Sequence, residues 1–241
     1  MSFQDFRPSG FNVLPPVIKN LLIINGLFFL ATVVFERQLT IDLTDILGLH
    51  YFFSEDFRPH QLITYMFMHG GFLHIAMNML YLWMFGNMLE NVWGPKRFLI
   101  YYVVCGIGAV LIHYTVHYFE IRPVLHSLND YMLNPSMEKL QDLFTSGTIK
   151  FTTPEMAQHL QPFVEELKKQ ELTGDEAGLL QSSVDLVMEY KKEFLNAPVV
   201  VGASGSVFGL LLAFGMMFPN LNVYLYFLFT IRAKYLVLVL G

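Results

Sequence analysis

A single cysteine, Cys105, excludes a disulfide framework and a thiolate metal site, and its place in an apolar segment reads as a small packing residue. Charge is scarce as well. Only 15% of the 241 residues are charged against 54% hydrophobic, and the mean hydropathy is +0.45, which excludes an ordinary soluble domain. A cleavable leader is also lacking. The first sixteen residues are polar and carry prolines, and the apolar run that follows is too long for a signal segment and has no small-residue cleavage site after it. That run reads as a retained first helix.

What is present is apolar length. Stretches at roughly 17–35, 74–89, 98–118 and 199–218 each approach the ~20 residues that a spanning helix needs. The block 118–196 is polar, has no spanning stretch and is expected outside the bilayer. The composition thus implies an all-α, multi-pass membrane bundle in three parts: 1–117 with three spans and a first outer loop, 118–197 as a helical extramembrane insertion, and 198–241 as the fourth span and the start of a fifth.

Charge orients the chain. The polar segments carry net +1, −3, +1, −6 and +2 in order, so the sign alternates at every crossing. The short loops weigh most in such a pattern, and they put the N-terminus in the cytoplasm, with the acidic first loop and the insertion outside. The second and fourth spans are then both entered from the outer side, so His74 and Ser204 are expected at similar shallow depth.

The second span opens on His69-Gly-Gly-Phe-Leu-His74-Ile-Ala-Met-Asn78. At about 100° per residue, His74 and Asn78 share one helix face, while His69 lies about 140° from His74 and is expected to face the loop before it. Two polar groups on one face of a spanning helix are costly unless used. The fourth span opens on Gly202-Ala203-Ser204-Gly205. Helix packing alone explains Gly205 and Gly209 as a Gly-x-x-x-Gly pair; the hydroxyl of Ser204 at the depth of His74 and Asn78 is what packing leaves unexplained.

Taken together, these residues resemble the rhomboids, the family of intramembrane serine proteases. The likeness rests on His69, His74 and Asn78, on Glu90 with the Gly94 and Arg97 that follow, and on Gly202-Ala203-Ser204-Gly205. It implies Ser204 as nucleophile and an oxyanion hole from His74, Asn78 and the Ser204 amide, with Gly202, Ala203 and Gly205 as backbone support. It further implies structural support from His69 and Glu90, and an aromatic near the site in Phe208. No metal and no cofactor is implied. The implied partners are transmembrane protein substrates and the lipid bilayer, with no nucleic acid; the implied location is a bacterial cell membrane.

The chain departs from the family pattern in places. A Trp-Arg pair of the family's first outer loop is replaced by His60 and Gln61. Rhomboids draw their general base from a histidine of a sixth spanning helix, and all eight histidines here precede Ser204. His113 and His117 lie four residues apart but read as interface residues, with no carboxylate or cysteine to complete a metal site. From 219 to 231 apolar residues recur with period two, as in an extended interfacial segment, and a new apolar run begins at Tyr235. The expectation is a chain that stops inside its fifth spanning helix and is inactive by itself for want of the base. Within the insertion, helices are expected over roughly 135–145, 154–170 and 175–195, capped at Asn134, Thr153 and Thr173, the last with an apolar stripe of Leu180, Val184, Val187 and Met188. Two other readings stay open: a rhomboid-like pseudoprotease that binds transmembrane clients without cleaving them, and an unrelated channel or transport subunit.

Overall fold

The computed structural model describes residues 11–150, 154–197, 199–225 and 229–240. The chain forms two compact units, one built from Met1–Leu49, Arg58–Ile112 and Val199–Gly241, the other from His50–Phe57 and His113–Pro198. Part of the first loop, His50–Phe57, thus groups with the run His113–Pro198.

Among the described residues, three helices are long and apolar enough to cross a bilayer: α1 (Pro16–Leu39), α4 (Phe72–Trp93) and α5 (Pro95–Leu133). Between them lie α2 (Leu43–Leu47), α3 (Gln61–Thr64) and a single 3-10 turn, Tyr65–Phe67. The start of α1 shows how local chemistry and tertiary contact combine. Pro15 and Pro16 carry no N–H, so the first donors needing acceptors belong to Val17 and Ile18. Both donate to the Glu90 carboxylate, each at 2.9 Å. Asn87, one turn before Glu90, and Asn91, the residue after it, hold the residues before α1 through Val13 and Asn12. At the far end of α4, Gly94 takes φ +80° and donates to the Glu90 carbonyl at 2.8 Å, and Pro95 opens α5. A left-handed glycine followed by a helix-starting proline separates two spans that would otherwise read as one apolar run.

The fourth apolar stretch is helical only in α9 (Ser204–Met217), shorter than the expected span. Val200 exchanges both backbone hydrogen bonds with Leu49 at 2.9 Å, and Gly202 sits at φ +116°, so the chain enters α9 extended and turns helical only at Ser204. The alternating segment that follows forms an antiparallel hairpin of β1 (Asn222–Leu225) and β2 (Phe229–Arg232), in register Val223 to Ile231, then α10 (Ala233–Leu240). Among the described residues, the named elements outside this hairpin are all helical.

The second unit holds the later part of α5 with α6 (Met137–Thr145), α7 (Pro154–Thr173) and α8 (Glu176–Asn196). The third apolar helix does not stop near 118. It continues through Pro123 because its next face, including Leu128 and Tyr131, is buried against Leu140, Leu160, Leu186, Val187 and Tyr190. Ser136, not Asn134, caps α6 by accepting from Lys139 N, and Asp175, not Thr173, caps α8 by accepting from Gly178 N; Thr153 lies outside the described residues. The buried face of α8 is Leu179, Ser183, Leu186, Val187 and Tyr190, whereas Met188 is exposed. Inside this core, Tyr190 Oη accepts from Lys150 N at 3.0 Å, and Tyr131 and Ser183 join their hydroxyls.

Candidate active site

The turn before α9 determines what can approach Ser204. Gly202 donates its N–H to the Tyr65 carbonyl at 2.9 Å, and its left-handed φ aims its α-carbon at α4. A Cβ there would lie 2.8 Å from His74 Nε2, 2.9 Å from His74 Cε1 and 3.7 Å from Asn78 Nδ2. The imidazole of His74 therefore packs on bare backbone two residues before Ser204. Ala203 is buried, and Ser204 is the first helical residue of α9, where backbone N–H groups have no intrahelical acceptor. The opposite side of the same turn packs on α5. A Cβ on Gly205 would meet Ala109 Cβ at 2.5 Å, and one on Gly209 would collide with Cys105 Sγ. The two glycines thus serve close helix packing while Ser204 faces α4.

A cavity of about 200 Å³ lies on that face, lined by His74, Asn78 and Ser204 and walled by Met77, Tyr81, Phe85, Val207, Phe208 and Leu211. Phe208 is half exposed at its edge. Asn78 Nδ2 donates to the His74 carbonyl at 3.0 Å, which uses one of its two amide hydrogens and leaves the other. The Ser204 hydroxyl makes no hydrogen bond among the described residues.

His69 is placed differently from expectation. Its ring lies 5.2 Å from that of His74, edge-on at 67°, instead of facing away. The helical angle does not apply to it, because α4 begins only at Phe72 and His69 stands in the loop before it. His69 Nδ1 is 3.3 Å from the Phe67 carbonyl, an acceptor, so Nδ1 carries the proton and the buried Nε2 is left without a partner. Burial, with a smaller contribution from neighbouring His74, pushes its pKa down to about 4, so the ring is neutral at neutral pH.

Other sequence candidates lie elsewhere. Glu90 is twelve residues from Asn78, about 18 Å along α4, and binds the start of α1. His60 and Gln61 brace the first loop, both reaching the Ile46 carbonyl, at 3.1 and 3.3 Å. In the second unit, His113 and His117 stack at 5.7 Å, and His117 is 3.9 Å from Glu120, a carboxylate that the sequence reading passed over. No group of three or more histidine, cysteine, aspartate or glutamate side chains suited to a metal ion occurs among the described residues.

Residues 56–121 match the family model for the Rhomboid domain. That stretch of the chain is similar to the Rhomboid domain family. The matched segment carries His69, His74, Asn78, Glu90, Gly94 and Arg97 and ends before Ser204. No curated protein matches the chain. The rhomboid resemblance pointed to some cavity residues and not to others. Met77 and Tyr81 share the His74/Asn78 face at helical spacing, a signal legible in the sequence. Tyr65 and Ser206 were not legible: their hydroxyls donate to the carbonyls of Gly106 and Tyr102, at 2.8 and 2.7 Å, across long sequence separations.

Proposed function

We propose that this protein is a rhomboid intramembrane serine endopeptidase in which Ser204 Oγ attacks a backbone carbonyl of a transmembrane protein substrate. The observation that carries the reading is the convergence of Ser204, His74 and Asn78 on one cavity, across the side-chain-free turn at Gly202. Attack creates an oxyanion. The remaining amide hydrogen of Asn78, a ring N–H of His74 and the N–H groups at the start of α9 are the donors this reading assigns to it, and in a site of low dielectric each is worth about 10²–10³ in rate. Extended backbone is required for attack, so cleavage is expected near a helix-destabilising juxtamembrane segment of the substrate.

Proton removal from Ser204 needs a base. In the rhomboid family that base is a histidine of a sixth spanning helix. Supported by the charge alternation, the reading puts the N-terminus in the cytoplasm of a bacterial cell and the cavity beneath the outer face. The test is fluorophosphonate labelling of the protein in its native membrane, expected to disappear in Ser204→Ala. Labelling that persists in that variant overturns the nucleophile. Absence of both labelling and reporter cleavage, with a transmembrane client still co-purifying, identifies a pseudoprotease instead.

A further inference from the structure

Helix α5 outruns the bilayer that it crosses. Its 39 residues extend about 58 Å, about twice the ~30 Å hydrocarbon thickness. Lys96 and Arg97 stand at its start, Tyr118 follows about 32 Å later, and Arg122 and His126 come one and two turns beyond. That spacing puts Tyr118 where hydrocarbon ends and Arg122 and His126 among the headgroups.

The surface at this level is unusual for water. Phe52 (57%), Phe53 (64%), Tyr118 (43%) and Phe119 (64%) are all open, a cluster of rings that suits a lipid boundary. Beside them is a cavity of about 250 Å³ whose lining includes Tyr51, Phe53, Tyr118, Arg122, His126 and Asn129. Its charge is positive and unanswered. The Arg122 guanidinium lies 6.0 Å over the Tyr118 ring, and among the described residues it pairs with no carboxylate. The flanking acids of α5 are engaged elsewhere, Glu120 beside His117 at 3.9 Å and Asp130 with Lys139 at 2.8 Å. A second cation reaches the rim, since Lys191 Nζ donates to Asn129 Oδ1 at 2.8 Å.

We propose that this cavity holds the headgroup of an anionic phospholipid, with the phosphodiester on Arg122 and the acyl chains lying along α5 past Phe119 and Val116. A guanidinium set among aromatic rings at the end of an apolar span matches a phosphate that carries an apolar body. The site is separate from Ser204 and asks nothing of the proteolytic reading.

The test is native mass spectrometry of the full chain in mild detergent, with added phosphatidylglycerol, phosphatidylcholine or inorganic phosphate. One phosphatidylglycerol is expected to stay bound per chain. Arg122→Gln should weaken its retention about fivefold, the effect of one cation near an anionic lipid surface, and Lys191→Gln in addition by a similar factor. Arg122→Lys, which keeps the charge, should recover most of the retention lost in Arg122→Gln. Equal retention of phosphatidylcholine, unchanged retention in Arg122→Gln, or displacement by inorganic phosphate would each overturn the proposal.

Discussion

The two units hold themselves together by different means. In the unit built on His113–Pro198, a core of Leu128, Leu140, Leu160, Leu186, Val187 and Tyr190 is buried beneath a surface of net acidic character, the arrangement of a domain folded by water. The unit that carries Ser204 leaves Leu27, Leu30, Leu111 and Met216 exposed, as lipid-facing side chains. Its interior packs Leu82, Phe85, Leu89 and Leu210 and is also knitted by single hydrogen bonds, from the hydroxyls of Tyr65, Tyr101 and Ser206 to the carbonyls of Gly106, Gly209 and Tyr102 and from the main chain of Val17 and Ile18 to the Glu90 carboxylate, and by glycines that admit a neighbouring helix. Between lipid-solvated helices the hydrophobic effect supplies little, so close packing and satisfied polar groups must carry the structure. The same economy leaves a serine, a histidine and an asparagine free to converge on one cavity.

That contrast can be broken at graded cost. Ser204→Ala should abolish cleavage of a single-span reporter in native membranes, a loss on the order of 10⁶-fold, while thermal unfolding of either unit is unchanged. Leu186→Ala, at a fully buried position in the insertion, should cost about 2–5 kcal/mol in denaturant unfolding; a loss near zero would show that the insertion is not held by its apolar core. Glu90→Gln keeps the shape but removes the charge from two hydrogen bonds. About 1.5–3 kcal/mol should be lost from the membrane unit, read as earlier proteolysis at the start of α1. Gly202→Ala combines a left-handed φ with a methyl 2.8 Å from His74 Nε2. It should cost about 1–3 kcal/mol and displace the imidazole, lowering kcat more than it raises KM.

A last effect depends on pH and is absent at neutral pH. The folded pKa of His69 lies near 4 against 6.5 for the free side chain, so between these values the unfolded chain binds a proton that the folded one refuses. Stability of the membrane unit should therefore fall as pH drops from about 6.5 to about 4 and level off below, and His69→Gln should flatten that slope.

Local patterns were legible to different depths. The apolar runs that became α1 and α4 were visible because hydropathy is read residue by residue, and the alternation after Pro219 implied extended backbone but not the pairing of β1 with β2. The end of α5 was not visible. Its hydropathy falls at 118, yet it stays helical to Leu133 because Leu128 and Tyr131 are buried by helices that come later in the chain. His69 does meet the loop before α4, at the Phe67 carbonyl, but its closeness to the His74 ring was not visible, because a residue outside the helix does not follow the helical period.

The amino-acid sequence by itself determined that this is a membrane protein, that a polar block interrupts its apolar runs, and which residue types could do acyl-transfer chemistry. Hydropathy, charge and backbone punctuation are local properties, and they act before any helix meets another. Only the tertiary structure decided that Glu90 would cap a helix 72 residues earlier in the chain, and that His74 would lie on Gly202. Both depend on how α4 crosses α1 and α9, and such crossings are selected by the packing of many side chains together.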